Sequence, residues 1–250
     1  MPSPPPTPRA RQRGRVRVGW SIALLLLAGL VWAWQAGHLA LPPEHDPWAP
    51  LDVAAEPNWL TGTKLRRARG DATACLAALA RTGVRFEPVP DRVTAPGCGF
   101  ENAVRVRAGD SLSIGAPVVL SCRAALSFAM WERHALQAVA RRQLGSPVTA
   151  IDHLGSYACR DVNTGDGPSG RRSKHATADA FDISAFTTAD RRHIGVRRDW
   201  PRTSTPEAQF LRGAHDGACR YFDGVLGPDY NAVHADHLHL ETGGGWGLCR

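Results

Sequence analysis

The sequence predicts an α+β fold, in which a small, mostly antiparallel sheet carries a metal site on one face and helices pack on the other. Apolar residues recur at helical spacing over 121–143. Apolar residues at alternate positions over 180–184 and 237–240 are typical of strands. A separate apolar segment near the N-terminus predicts a transmembrane helix.

The first 36 residues divide into a basic tail and this apolar segment. Residues 1–17 are rich in Pro and Arg and contain no acidic residue. Residues 18–36 carry no charge, and a run of this length is about enough to cross a bilayer as a helix. Trp20, Trp32 and Trp34 lie near its ends, where aromatic rings favour the membrane interface. We expect a cytoplasmic tail followed by a transmembrane signal anchor.

The tail also predicts where the rest of the chain lies, because arginines stay on the cytoplasmic side. In a bacterium, the protein would be a single-pass inner-membrane protein with its C-terminal domain in the periplasm. A cleaved signal peptide is the alternative, but the apolar run is long for one, and residues 32–36 make a poor small-residue cleavage site.

The net charge of +7 is concentrated in the tail, which holds five arginines. The remainder is near neutral, which argues against a broadly basic surface and excludes nucleic acid as an expected partner. The six cysteines all follow the apolar segment, and none has CxxC spacing. They predict three disulfides in an oxidising compartment, with about 15 pairings open.

The elements follow in order along the exported part. Residues 37–62 are rich in Pro and Trp, and we interpret them as a linker to a folded domain over 63–250. An Ala/Leu-rich helix is expected over 72–81. Prolines and glycines over 84–110 predict short strands and turns.

The second half of the domain alternates in the same way. The longest predicted helix covers 121–143, and a strand is expected over 148–151. Residues 161–174 are polar and Gly-rich, which predicts a loop. Thr205 is expected to cap a last helix that has Pro206 at its first position.

Two short segments carry candidate metal ligands. Asp182 lies in the predicted strand 180–184, where its apolar neighbours make burial of an unpaired carboxylate costly. A cation would satisfy it, and the preceding loop can bring His175 to the same place. Near the C-terminus, alternation puts His237 and His239 on one face of a strand.

These residues predict one zinc ion per chain, held by His175, Asp182 and His239, with an open position for water. His237 would act as general base and acid. His234 has the opposite parity and reaches the site only from an irregular segment, where it would assist an oxyanion or orient the water. The predicted reaction is hydrolysis of an amide.

The other histidines have simpler interpretations. His215 is expected to cap the C-terminus of its helix, and His153 to pack beside the site. No function is assigned to the remaining four: His38, His45, His134 and His193.

The two segments resemble the motifs of the D-alanyl-D-alanine metallopeptidase and lysostaphin superfamily, Ser-x-His-x-x-Gly-x-Ala-x-Asp followed by His-x-His or Glu-x-x-His. Ser173, His175, Ala180 and Asp182 match, whereas Ala178 replaces the usual Gly. The spacing of the last three histidines is similar to that of penicillin-insensitive murein endopeptidases. This resemblance implies the ligand and base roles given above.

Residues 155–160 resemble a Gly-Tyr-Arg-Ser segment whose arginine binds the substrate carboxylate in related enzymes. The resemblance implies this role for Arg160, with a structural salt bridge as the alternative. The stretch from about Cys75 to Arg250 is similar to the bacterial extensin-like C-terminal domain family. The chain lacks the Ser-Pro-Pro-Pro-Pro repeats of plant extensins and has only three Tyr.

Three hypotheses follow from these observations. The first is a zinc-dependent hydrolase acting on peptidoglycan or cell-wall peptides, tethered to the inner membrane by its N-terminal helix. The second is a non-catalytic wall-binding or scaffold domain that keeps the fold and the metal. The third is a structural metal site or a disulfide-linked domain that binds no ligand, with the site closed by a fourth protein residue, either His234 or Asp236. Two histidines and one carboxylate also bind iron in non-haem oxygenases, so the metal has to be measured.

Overall fold

The computed structural model describes residues 8–37, 41–163, 168–244 and 247–250. His38 and parts of the predicted tail, linker and 161–174 loop therefore lie outside the described residues. The chain divides into two compact units, Met1–Asp46 and Pro47–Arg250.

The first unit contains helix α1, Pro8–Gln35, which covers most of the apolar segment. Within the part of the chain that the structure describes, no helix has both the length and the apolar character to cross a membrane. The helical conformation of this segment is confirmed, and its role as a transmembrane signal anchor stays a prediction.

The second unit begins earlier than the predicted boundary at residue 63. Leu51 and Val53 are buried in the hydrophobic core. The ring Nε2 of His134 lies 2.7 Å from the carbonyl oxygen of Val53, which attaches this segment to the domain. The interpretation of the whole of 37–62 as a linker is therefore wrong from Pro47 onward.

The domain has six helices among the described residues: α2 Thr61–Gly70, α3 Ala72–Leu79, α4 Cys122–Trp131, α5 Gln137–Leu144, α6 Val196–Asp199 and α7 Pro206–Ala218. A π-helical segment, Glu132–Leu136, joins α4 to α5, so the predicted long helix is continuous but not uniformly α-helical. Thr205 caps α7 as predicted, since its hydroxyl accepts a hydrogen bond from the Ala208 N–H.

The strands described in the domain are β1 Arg85–Val89, β2 Arg92–Ala95, β3 Cys98–Phe100, β4 Ala103–Ala108, β5 Ser113–Ser121, β6 Val148–Gly155, β7 Asp161–Asn163, β8 Pro168–Arg172, β9 Ala180–Thr188, β10 His193–Gly195, β11 Gly224–Leu226, β12 Leu238–Glu241 and β13 Leu248–Cys249. Nine of these described strands form one sheet in the order β1-β4-β5-β6-β9-β12-β11-β13, with β10 beside β9. Most pairs are antiparallel, as predicted, but the sheet is larger than the small one expected.

Helices cover one face of this sheet, which confirms the α+β class. The ring of Phe181 on β9 lies 5.8 Å from Phe128 on α4. Farther along β9, Phe186 contacts Trp131 and Phe210. The register with β6 shifts by one residue between Ile183 and Ala185, so both Phe181 and Phe186 can face the helices. Asp182 therefore lies on the other face.

The predicted loop 161–174 is wrong in part, because its described residues form a hairpin of β7 and β8.

Three disulfides connect the domain, as the even number of cysteines predicts. They join Cys75 to Cys122, Cys98 to Cys159, and Cys219 to Cys249.

Candidate metal centre

Strand pairing brings the two candidate segments together. β9 and β12 are antiparallel neighbours, and Asp182 lies directly opposite His239. His175 comes from a 3₁₀ turn, Lys174–Thr177, that Ser173 caps by accepting the His175 N–H. Ala178 ends this turn with φ 54°, in the left-handed region. A glycine adopts this conformation without strain, which explains why the resembling motif has Gly where this chain has Ala.

The three predicted ligands converge on one buried point. His175 Nε2 lies 3.1 Å from Asp182 Oδ2 and 3.2 Å from His239 Nδ1. His239 Nδ1 is 2.8 Å from Asp182 Oδ1. Each residue offers a ligand atom within 4.8 Å of the others, and all three are buried.

Hydrogen bonds on the far side of each ring determine which nitrogen faces this point. His175 Nδ1 bonds the carbonyl oxygen of Ser156, so Nδ1 carries the proton and Nε2 a lone pair. His239 Nε2 lies 3.0 Å from Glu241 Oε2, which leaves Nδ1 to face Asp182. Such outer partners hold metal-binding histidines in the correct tautomer. The inner nitrogens and the Asp182 carboxylate are then placed to share a proton or to hold a metal ion.

The pKa values of the cluster follow from burial and these contacts. Burial alone would raise the pKa of Asp182, but its contacts with His175 and His239 hold it well below its usual range. Burial lowers the pKa of His239, yet its bonds to Asp182 and Glu241 raise it to about 9. The protein without metal therefore keeps a proton in the cluster, and this proton competes with a metal ion.

His237 lies beside the cluster, just before β12 rather than within it. Its Nε2 is 3.7 Å from Asp182 Oδ1. Its Nδ1 lies 2.9 Å from Asp236 Oδ1, so the carboxylate accepts the Nδ1 proton and Nε2 keeps its lone pair. A histidine held in this way is suited to accept a proton next to the cluster.

His234 occupies an irregular segment before the strand, as predicted, in the 3₁₀ turn Ala232–His234. Asn231 Oδ1 accepts hydrogen bonds from the Val233 and His234 N–H groups and from His234 Nδ1. Burial, followed by the nearby His239 and His237, lowers the pKa of His234 to about 4. The neutral ring thus presents an acceptor at Nε2. Such a ring suits orientation of a water molecule, and the alternative oxyanion role stays a prediction.

A cavity of about 190 Å³ adjoins the cluster, and its lining includes His234, His237, His239 and Arg160. Arg160 is exposed and, among the described residues, has no carboxylate partner, so the salt-bridge alternative is not observed. Glu241 lines the same cavity and was not predicted as a site residue. Alternation in a strand could have found it, because Glu241 is two residues from His239.

The candidate cluster has three members among the described residues. Neither His234 nor Asp236, the two residues that could have closed the site, belongs to this group. His153 was predicted to pack beside the site, and its ring centroid lies 5.3 Å from that of Phe181. The capping prediction for His215 is wrong, because its ring contacts Asp216 and the Arg250 carbonyl.

The fold and the site together define a disulfide-linked α+β domain with a buried group of two histidines and one aspartate on its sheet. A family model described as extensin-like protein C-terminus matches residues 73–250. The chain therefore belongs to this family, which confirms that resemblance. Comparisons with curated proteins and with solved structures find no significant match.

Proposed function

We propose that this domain is a zinc-dependent hydrolase that cleaves a peptide amide bond in peptidoglycan. The observation that carries the proposal is the convergence of His175 Nε2, His239 Nδ1 and the Asp182 carboxylate within 3.2 Å. These donor types suit zinc, and the outer contacts orient both imidazoles for it. The resemblance to cell-wall metallopeptidases and the predicted periplasmic address support peptidoglycan as substrate.

A zinc ion held by these three residues would supply a water of lowered pKa, about 7, and would polarise a carbonyl. The chain's own residues account for the proton transfers. His237 Nε2 takes the proton of the attacking water while Asp236 holds its Nδ1–H. The same nitrogen then returns the proton to the leaving amine.

The remaining predicted residues orient the water and bind the substrate. His234 is neutral at pH 7, and its Nε2 accepts a hydrogen bond from the water without competing for its proton. Arg160 binds a carboxylate of the peptide at the cavity rim, where a guanidinium can form two parallel bonds. Among the described residues the cluster has three members, and a zinc ion with three protein ligands would take a water as its fourth, which favours catalysis over a closed structural site.

Metal content and hydrolysis, measured together on the oxidised full chain, test the proposal. Wild type and His237→Ala are compared on purified peptidoglycan, with products identified by mass spectrometry. We expect about one zinc per chain in both proteins and release of peptide fragments by wild type alone. Circular dichroism of the variant serves as the folding control.

Other outcomes separate the alternatives. Zinc in both proteins with no release by either would overturn catalysis and favour a wall-binding domain, which co-sedimentation with peptidoglycan would then detect. Iron in place of zinc would overturn the proposed metal. Absence of any metal from protein purified without chelator would remove the basis of the proposal.

A further inference from the structure

The β7–β8 hairpin has two chemically different faces. Asp161 pairs with Arg172 across the strands, and their side chains form an ion pair of 2.8 Å. The Arg172 guanidinium also donates to the carbonyl oxygen of Pro96. This face is therefore compensated in charge and bound to the rest of the domain.

The opposite face turns towards the cavity beside the candidate ligand cluster of His175, Asp182 and His239. Arg160 and Arg171 are each one position from the Asp161–Arg172 pair, so alternation directs them to the other side. Both line the cavity together with His234, His237 and His239. The Ser173 N–H donates to the Arg160 carbonyl at 3.1 Å, which joins the strands at this end.

The two arginines bring positive charge to the cavity, and the Glu241 carboxylate near Arg171 offsets part of it. Both are exposed, and neither forms an ion pair with any residue that the structure describes. Glu241 is the acidic residue lining the cavity, and its carboxylate already accepts a bond from His239. Two guanidinium groups outside any described ion pair, with one carboxylate nearby, favour an anionic ligand.

The hairpin base holds these arginines in place before any ligand binds. The disulfide from Cys98 to Cys159 fixes the residue preceding Arg160. Arg172, which follows Arg171, is fixed by Asp161 and Pro96. A cation held on a fixed backbone loses less entropy on binding than one on a free loop.

We propose that Arg171 acts with Arg160 as a carboxylate-recognition subsite, so that the domain selects peptides carrying a free carboxylate near the bond it cleaves. Arg171 is then a specificity-determining residue that sequence analysis had placed in a loop. The inference rests on the proposed function for its substrate class, and it adds the second arginine and the charge requirement.

The test uses a synthetic peptidoglycan stem peptide in four forms. The C-terminus is an acid or an amide, and one side-chain carboxyl is free or amidated. Binding to the metal-loaded full chain is measured by calorimetry in a His237→Ala background, which prevents turnover. This background is combined with Arg171→Gln, Arg171→Lys or the control Arg142→Gln, an exposed arginine on α5.

We expect the parent, which carries His237→Ala alone, to bind one acid form at least tenfold more tightly than the matching amide. That form identifies which carboxylate the protein recognises. Arg171→Gln should lose most of this preference, and Arg171→Lys should keep part of it because the charge remains. Arg142→Gln should leave it unchanged. Equal preference in the parent and in Arg171→Gln, or no binding of any form, would overturn the subsite.

Hydrolysis of the same peptides by protein with His237 intact separates this inference from the proposed function. Cleavage without a carboxylate preference would overturn the subsite alone. A preference that depends on Arg171, without cleavage, would support the subsite and overturn the hydrolase.

Discussion

Glu241 and His239 share one face of strand β12, where Glu241 Oε2 lies 3.0 Å from His239 Nε2. This contact directs the other ring nitrogen towards Asp182 and His175. Burial would raise the pKa of Glu241, but the hydrogen bond to His239, with Lys174 and Arg171 nearby, lowers it. An ionised carboxylate therefore orients a candidate ligand without belonging to the cluster.

Glu241→Gln should weaken metal binding by roughly 10–100-fold, the effect expected when an outer partner of a ligating histidine is lost. The amide can still accept a hydrogen bond, but it carries no charge. Competition with a chelator of known affinity measures the change. The exposed Glu56→Gln is the control, and equal affinities for the two variants would argue against the orienting role.

Asp182→Asn should reduce metal affinity more strongly than Glu241→Gln, since it removes the charged member of the cluster. The side chain keeps its size, so the fold should persist. Elemental analysis after dialysis provides the measurement. Asp152→Asn, at an exposed carboxylate paired with His193, should retain wild-type metal content. Full occupancy in Asp182→Asn would exclude the assigned ligand.

Asp236→Asn should slow hydrolysis at least tenfold while metal content stays unchanged, because His237 loses the carboxylate that orients its Nδ1–H. The loss should be smaller than the roughly 10²–10⁴-fold expected for His237→Ala. Asp216→Asn is a matched control, since Asp216 also lies 2.9 Å from the Nδ1 of a neighbouring histidine, His215. Similar rates in both aspartate variants would contradict an orienting role for Asp236.

Burial of Glu132 should make the stability of the domain depend on pH, independently of the candidate ligand cluster. It is fully buried in the π-helical segment, where its carboxylate accepts N–H bonds from Asp110 and Ser111. Burial raises its pKa above the ordinary value of 4.5, although these bonds act in the opposite direction. The folded form then holds its proton more tightly than the unfolded chain.

The stability contributed by Glu132 is therefore complete below pH 4.5 and decreases as the pH rises through its folded-state pKa. Urea unfolding from pH 4 to pH 8 measures this loss. Glu132→Gln should lower stability at acidic pH, because one acceptor is replaced by a donor, and should reduce the loss over this range. An identical pH slope in both proteins would show that Glu132 does not titrate there.

Gly217→Ala should destabilise the domain by about 1–3 kcal/mol, because it overpacks the contact between α7 and the π-helical segment. A methyl group at this position would lie 2.7 Å from Ala135 Cβ. Gly62→Ala on α2 meets nothing within 4 Å and should be neutral or slightly stabilising. Thermal unfolding compares the two variants, and equal midpoints would contradict the packing argument.

The sequence predicts best where a local pattern agrees with tertiary packing. The helix cap at Thr205 and the opposite orientations of Phe181 and Asp182 follow from short-range rules. The start of the domain was missed, because Leu51 and Val53 stand alone among prolines and show no periodicity. Their burial depends on helices that lie far away in sequence.

The site shows the same division. The convergence of His175, Asp182 and His239 was predictable, because each residue type already suggests a ligand. The roles of Glu241 and Arg171 depend on strand pairing. Glu241 contacts the ring nitrogen of His239 that faces away from the cluster. Arg171 lies in a segment whose polar, Gly-rich composition resembles a loop. The tautomer of His234 depends on the orientation of the Asn231 side chain. Two backbone N–H groups donate to the Asn231 oxygen, so this atom is an acceptor for His234 Nδ1.

The pairing of Asp182 with His239 has a consequence for the order of folding. The two residues are far apart in the chain and meet only when β12 docks beside β9 in one particular register. A slip by a single residue would turn His239 to the helix-covered side and destroy the ligand set. Metal uptake during refolding should therefore be a late event, and its completeness would report how many molecules have aligned their C-terminal strand correctly.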